Sequence, residues 1–163
     1  MLSKLIIPDQ SFDTIYDIDL IELYSSGYRN LLLDIDNTIM PWNSDEISNN
    51  LKQWIKYAHE IGFSIYLFSN SHKKSRILKI ANCLGVKAIP CRGKPLISAF
   101  KKAIEFIKGM PEDTVMIGDQ IFTDILGGNL LNLHTILIKP ISDKEFIGTK
   151  INRWLEKVIA GRR

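Results

Sequence analysis

Leu31-Leu32-Leu33 runs without a break into Asp34-Ile35-Asp36-Asn37-Thr38, and this junction constrains the chain more than any other. The apolar run reads as a strand, so two carboxylates are delivered at its C-terminal end. In an open α/β sheet, ligands bind at the carboxyl ends of strands. Successive strand residues point to opposite faces, so Asp34 and Asp36 are expected to share one direction. Two carboxylates placed there suit a hard cation and a general acid or base. A solvated loop that uses Asp and Asn as turn formers would carry the same letters.

Later segments repeat the theme. Phe63-Ser64-Ile65-Tyr66-Leu67-Phe68 reads as a second buried strand and ends at Ser69-Asn70-Ser71. Lys94-Pro95 opens a helix-patterned segment. Thr114-Val115-Met116-Ile117 reads as a third strand, ending in Gly118-Asp119-Gln120 with Thr123 and Asp124 close behind. Between the strands, helical spacing is expected over residues 44–61, with Ser44 as cap, then over 73–84, 96–108 and 123–131. Short strands are expected at 87–89 and 134–138. Strands alternating with helices of this length predict an α/β fold, a Rossmann-like parallel sheet with helices on both faces.

The 163 residues, 45% hydrophobic and 24% charged, fit one soluble domain over 1–163. A leader of about 1–28 precedes the first strand. The net charge of +3 gives no reason to invoke nucleic acid. Basic charge gathers late, with seven Lys or Arg against three acids over residues 139–163. Cys83 and Cys91 lack metal-site or disulfide-framework spacing, which fits a reduced, cytoplasmic setting. Met1 to Ile7 is too short for a signal-peptide core, and no run reaches the length of a membrane span. A final helix is expected over about 149–160. Its stripe of Ile151, Trp154, Leu155 and Val158 either docks on the core or, with Lys150, Arg153 and Lys157, touches anionic lipid at the inner face of a membrane.

An acidic pair, a hydroxyl, a lysine and a second acidic pair thus follow in order from Asp34 to Asp124. In this the chain resembles the haloacid dehalogenase-like (HAD) phosphatase superfamily, whose four motifs hold these residue types in this order. The resemblance implies that Asp34 is the nucleophile and Asp36 the general acid and base, while Ser69 and Lys94 bind and balance the phosphoryl group. It implies Mg²⁺ held by Asp34, Asp119 and the backbone carbonyl of Asp36, with Asp124 behind them. Asn70 and Arg92 join Ser69 and Lys94 as candidate substrate contacts. Arg92, Lys73 and Lys74 lie near the motifs and read either as binders of a second phosphate or as solvated charges, and His72 reads as a surface residue.

Members of this superfamily often carry a cap domain after the first or second motif, and neither interval here has room for one. An uncapped site suits a large or membrane-bound substrate, or one closed by a second subunit. The stretches Leu5-Ile6-Ile7-Pro8-Asp9, Gly118-Asp119-Gln120, Gly127-Gly128-Asn129 and His134-Thr135-Ile136-Leu137 are similar to the YqeG group. That group is related to the phosphatases that convert phosphatidylglycerophosphate to phosphatidylglycerol. Asn132 stands where glycine is expected, and Arg92-Gly93 where a more basic pair is expected. The resemblance therefore implies an Mg²⁺-dependent phosphomonoester hydrolase acting on a lipid phosphate. A soluble phosphatase for a sugar phosphate or nucleotide, and a non-catalytic module of the same fold, remain the alternatives.

Overall fold

A computed structural model describes residues 2–142; the expected 149–160 helix lies outside them. A six-stranded sheet, parallel throughout, has the order β1-β6-β5-β2-β3-β4. Its strands are β1 (Gln10–Phe12), β2 (Asn30–Leu33), β3 (Ser64–Leu67), β4 (Lys87–Ala88), β5 (Thr114–Gly118) and β6 (His134–Ile138). The helices are α1 (Leu2–Leu5), α2 (Leu20–Ser25), α3 (Asn49–Ile61), α4 (Lys74–Leu84), α5 (Ile97–Ile107) and α6 (Leu126–Leu130).

The pleat sorts the sheet residues into two cores. Leu31, Leu33, Ile65, Leu67, Val115 and Ile117 pack with α2, α3 and α4 on one face. Leu32, Met116 and Phe68 pack with Ala99, Phe100, Ala103 and Ile107 of α5 on the other. The apolar run of β2 is thus buried on both sides, as a central parallel strand must be. Helix α3 buries Leu51, Trp54, Ile55 and Ala58, a spacing of three and four that puts them on one face. Removing the buried side chain of Leu51 would cost about 2–5 kcal/mol.

Helix α3 begins later than its composition predicts. Ser48, not Ser44, caps it, its Oγ accepting from Leu51 N at 3.1 Å. Residues 43–45 are held out of the helix. The Ser44 carbonyl accepts from Arg76 Nη2 and Nε at 2.6 and 3.2 Å, and Asn43 has a φ of 55°. Strand β1 is a further departure from the expected leader. Gln10–Phe12 pairs with Ile136–Ile138 at the sheet edge, and Asn129 Nδ2 ties the preceding segment down by donating to the Leu5 and Ile7 carbonyls. Asn132 adopts a φ of 58°, the left-handed geometry that Asn tolerates in place of glycine.

Register sets up the site. Leu33 pairs with Leu67 on one side and Ile117 on the other. The residues that follow these three, Asp34, Phe68-Ser69 and Gly118-Asp119, therefore emerge together at one edge of the sheet.

Candidate active site

Lys94 is the hub of that edge. Its Nζ donates to Asp34 Oδ1 at 2.8 Å, to Asp124 Oδ1 at 2.7 Å and to the Phe68 carbonyl at 2.8 Å. All three donor hydrogens of the ammonium are thereby used inside the protein. Burial works against the charged ammonium, but Asp124 and Asp34 together outweigh it and hold Lys94 above its ordinary range. Asp34 gains less from the pairing because it shares Lys94 with Asp124. Burial pushes its carboxyl up to about 6, with Lys94 pulling down and Asp124 and Asp36 adding to the rise.

Carboxylate oxygens of Asp34, Asp119 and Asp124 lie within 4.8 Å of one another, all three residues buried. Thr38 Oγ1 sits between two of them, 3.4 Å from Asp34 Oδ2 and 3.3 Å from Asp119 Oδ1. Three carboxylates against one ammonium leave two negative charges in a buried space when all are ionised. A small divalent cation with oxygen ligands fits that donor set and its charge.

Asp124 reaches the hub through an unusual backbone. Instead of a plain helix over 123–131, residues Ile121–Ile125 form a wide π-type turn before α6 begins at Leu126. Asp124 accepts from Gln120 N at 3.2 Å through Oδ2 while Oδ1 takes Lys94. Gly118 is required opposite it, since a Cβ there would lie 2.1 Å from Asp124 Oδ2. Wide turns of this kind recur at functional sites.

Asp36 does not share the direction of Asp34. The strand ends at Leu33, and the chain then folds back, with Thr38, Ile39 and Met40 N–H all donating to the Ile35 carbonyl and Asn37 at a φ of 64°. The two-residue alternation stops there. The carboxylate of Asp36 accepts from Arg76 Nη1 and Nη2 at 3.0 and 2.9 Å and from Asn43 N at 2.8 Å. It lies outside the cluster formed by the other three acids.

The remaining candidates divide. Ser69 is buried at the edge, its Oγ accepting from Ser71 N at 3.1 Å. Asn70 joins the loops after β3 and β4. Its Oδ1 accepts from Gly93 N and Lys94 N, each at 3.0 Å, and its Nδ2 donates to the Lys94 carbonyl at 2.9 Å. The structure thus gives Asn70 the task of placing Lys94. Arg92 is exposed and contacts His72 Nδ1. Sequence reasoning missed Arg76 and assigned no task to Thr38. Thr38 lies inside the first motif, four residues from Asp34. Arg76 reads only as one more cation on an amphipathic helix.

The HAD-hydrolase-like family model matches residues 91–140, the stretch from before Lys94 through Asp119 and Asp124. The Bacillus subtilis (strain 168) protein named "Probable phosphatase YqeG" is 32% identical over 159 residues, covering 98% of this chain and 92% of that protein. Phosphatidylglycerophosphate phosphatase 1, chloroplastic/mitochondrial, of Arabidopsis thaliana is 26% identical over 94% of this chain. The chain spans about half of that plant protein, 49% of its length. Among solved structures, magnesium-bound YfnB of Bacillus subtilis superposes with a TM-score of 0.53 at 17% identity, covering 74% of this chain and 91% of that one; at such identity the likeness concerns the fold. With a near full-length relative at this identity and the four motif positions gathered on one sheet edge, the chain belongs to the haloacid dehalogenase-like hydrolases, as a phosphatase of the YqeG group.

Proposed function

We propose that this phosphatase hydrolyses phosphatidylglycerophosphate with Mg²⁺, through a phosphoaspartate on Asp34. The observation that carries the chemistry is Lys94 held between Asp34 and Asp124 with Asp119 alongside. Asp34 ends a central strand and is fixed by backbone as well as side chain, since its N–H donates to the Ile117 carbonyl at 3.0 Å. A nucleophile so held meets phosphorus in a single geometry, which removes much of the entropy cost of attack.

In the first half-reaction, the Asp34 carboxylate bonds to phosphorus as the bond to the ester oxygen breaks. Asp36, released from its fork with Arg76, gives that oxygen its proton. In the second, Asp36 takes a proton from the water that attacks the phosphoaspartate, which frees phosphate and restores Asp34. Ser69 Oγ would donate to a phosphoryl oxygen. Lys94, its three donors already on Asp34, Asp124 and the Phe68 carbonyl, would balance the phosphoryl charge through Asp34. Asp34, Asp119 and the backbone carbonyl of Asp36 would hold Mg²⁺, which neutralises charge on the phosphoryl group when bound. Asp124 has both oxygens engaged, by Lys94 and by Gln120 N, which suits a supporting position behind that shell.

The choice of a lipid ester is supported by the name of the Arabidopsis relative and by the short connections around the site. Only the 37–48 loop separates the first motif from α3, so no inserted domain encloses the substrate there. The test is a ranking of kcat/KM with Mg²⁺ for phosphatidylglycerophosphate in mixed micelles, glycerol 3-phosphate and an aryl phosphate. The lipid is expected to lead by at least about tenfold, a difference of about 1.4 kcal/mol in transition-state binding. A lead for a soluble ester would overturn the lipid assignment and keep the phosphatase.

A further inference from the structure

One rim of the active-site edge holds side chains that the chemistry leaves unused. The loops after β3 and β4 meet through Asn70 and through the His72–Arg92 contact. On the exposed side of that junction stand Lys73, Lys74 and Arg92. Leu96 and Ile97 follow at once, 63% and 40% exposed. Lys73, Lys74 and Arg92 have no carboxylate partner among the described residues. A cleft of about 690 Å³ borders Lys73, Lys74 and Lys79. Its acid, Asp45, is taken by Arg76 at 3.1 Å. The rim is therefore cationic and apolar together.

Lys73 Nζ donates to Asn43 Oδ1 at 2.8 Å, and Arg92 contacts His72. Among the described residues the fold gives no comparable role to Lys74 or Leu96, and the helix ends gain nothing from any of them. Lys73 and Leu96 occupy the N-cap positions of α4 and α5, and neither makes a side-chain cap hydrogen bond. Ser, Thr, Asp or Asn would cap better, and Leu belongs to the poorest class there. Lys74 then adds a positive charge at the positive end of α4, whose first turn contains no acid. Two cap positions on the same rim thus hold a cation and an exposed aliphatic in place of the residues that would stabilise the helices. Local preference gives way in this manner where a surface serves something outside the chain.

We propose that this rim docks on an anionic phospholipid bilayer. Leu96 and Ile97 enter the headgroup boundary, and Lys73, Lys74 and Arg92 lie against lipid phosphates. The Asp34 site then takes its phosphomonoester from the plane of the membrane. Charge complementarity selects this occupant, because cations flanking exposed aliphatics match an anionic interface. The inference rests on the lipid-phosphate reading above and adds the face that meets the lipid.

The test uses the full chain with phosphatidylcholine vesicles, with and without phosphatidylglycerol, at low salt. Leu96→Asp supplies α5 with the cap it lacks, so the variant keeps its fold, and Lys74→Gln removes one exposed charge. The parent is expected to sediment with anionic vesicles only. Lys74→Gln should bind roughly fivefold more weakly, and Leu96→Asp more weakly still, while both hydrolyse a soluble aryl phosphate at the parental rate. Unchanged sedimentation of both variants, or a parent that stays in the supernatant, would overturn the proposal. Loss of a dimer in Leu96→Asp, in place of loss of vesicle binding, would assign the face to a second copy of the chain and overturn it as well. Binding without hydrolysis of phosphatidylglycerophosphate would support the docking face and remove the substrate. Hydrolysis in micelles without vesicle binding would do the reverse.

Discussion

Arg76 holds both carboxylate oxygens of Asp36, at 3.0 and 2.9 Å, and turns the expected proton donor away from the Asp34 centre. The same guanidinium donates to the Ser44 carbonyl and to Asp45, so it also fastens the 43–45 loop. Delivery of a proton by Asp36 requires this fork to open or to shift toward the leaving oxygen. Arg76→Ala releases Asp36 and the 43–45 loop together, so Asp36 loses its fixed position beside the site. The kcat should then fall by about 100-fold, the low end of what general acid–base catalysis contributes. It should also lower stability by about 1.5–3 kcal/mol through the lost charged hydrogen bonds. Steady-state kinetics beside chemical denaturation separate the two effects. An unchanged kcat in a folded variant would show that Arg76 only fastens the loop.

Thr38 links Asp34 to Asp119 through one hydroxyl. Thr38→Val keeps the shape and removes the link, so the two carboxylates lose their shared donor. Affinity for Mg²⁺ is expected to fall by about 10- to 100-fold, as for other groups that orient metal ligands. Calorimetric titration of the metal measures it.

Gly118→Ala places a methyl where Asp124 now lies, 2.1 Å from Oδ2. Asp124 must then move off Lys94, which leaves the ammonium buried with one carboxylate partner fewer. A loss of about 3–5 kcal/mol is expected, as when a buried ion pair is broken. Thermal melting reports it. Retention of full stability would mean that the π-type turn can shift at little cost.

Acidity gives a signed test at Asp34. Burial raises its carboxyl to about 6, and both nucleophilic attack and metal binding need the ionised form. Affinity for Mg²⁺ should therefore weaken about tenfold for each pH unit below that value. Stability runs the other way. The folded protein keeps this proton up to about 6 while an unfolded Asp loses it near 3.8, so the contribution of Asp34 to stability in metal-free protein falls as pH rises through that window. Asp34→Asn should flatten both dependences, seen by titration calorimetry and by melting at each pH.

Much of this architecture can be read from the chain before folding. Leu31 to Leu33 is apolar on both faces and becomes the central strand, with the runs at 63–68 and 114–117 paired on either side of it, because burial in a parallel sheet demands unbroken apolar stretches. The acidic residues at those strand ends fall together because the parallel register leaves them no other place. Arg76 escapes such reading, since its partner Asp36 lies 40 residues away and only the fold-back after Ile35 aims the two at each other. The same fold-back breaks the alternation that assigns Asp34 and Asp36 to one direction. Gln10–Phe12 is three residues long and is itself an edge strand, paired only with β6, too short to show a period. The late start of α3 follows from the Arg76 contacts to the 43–45 loop, a tertiary override of a good local cap at Ser44.

Phosphate release from phosphatidylglycerophosphate in mixed micelles with Mg²⁺, by the parent chain and by Asp34→Asn, tests the central claim most directly. The account predicts release by the parent and none above background by the variant, with the variant still folded. Equal release by the two would contradict the phosphoaspartate route. A parent that cleaves aryl phosphate but leaves the lipid intact would contradict the substrate.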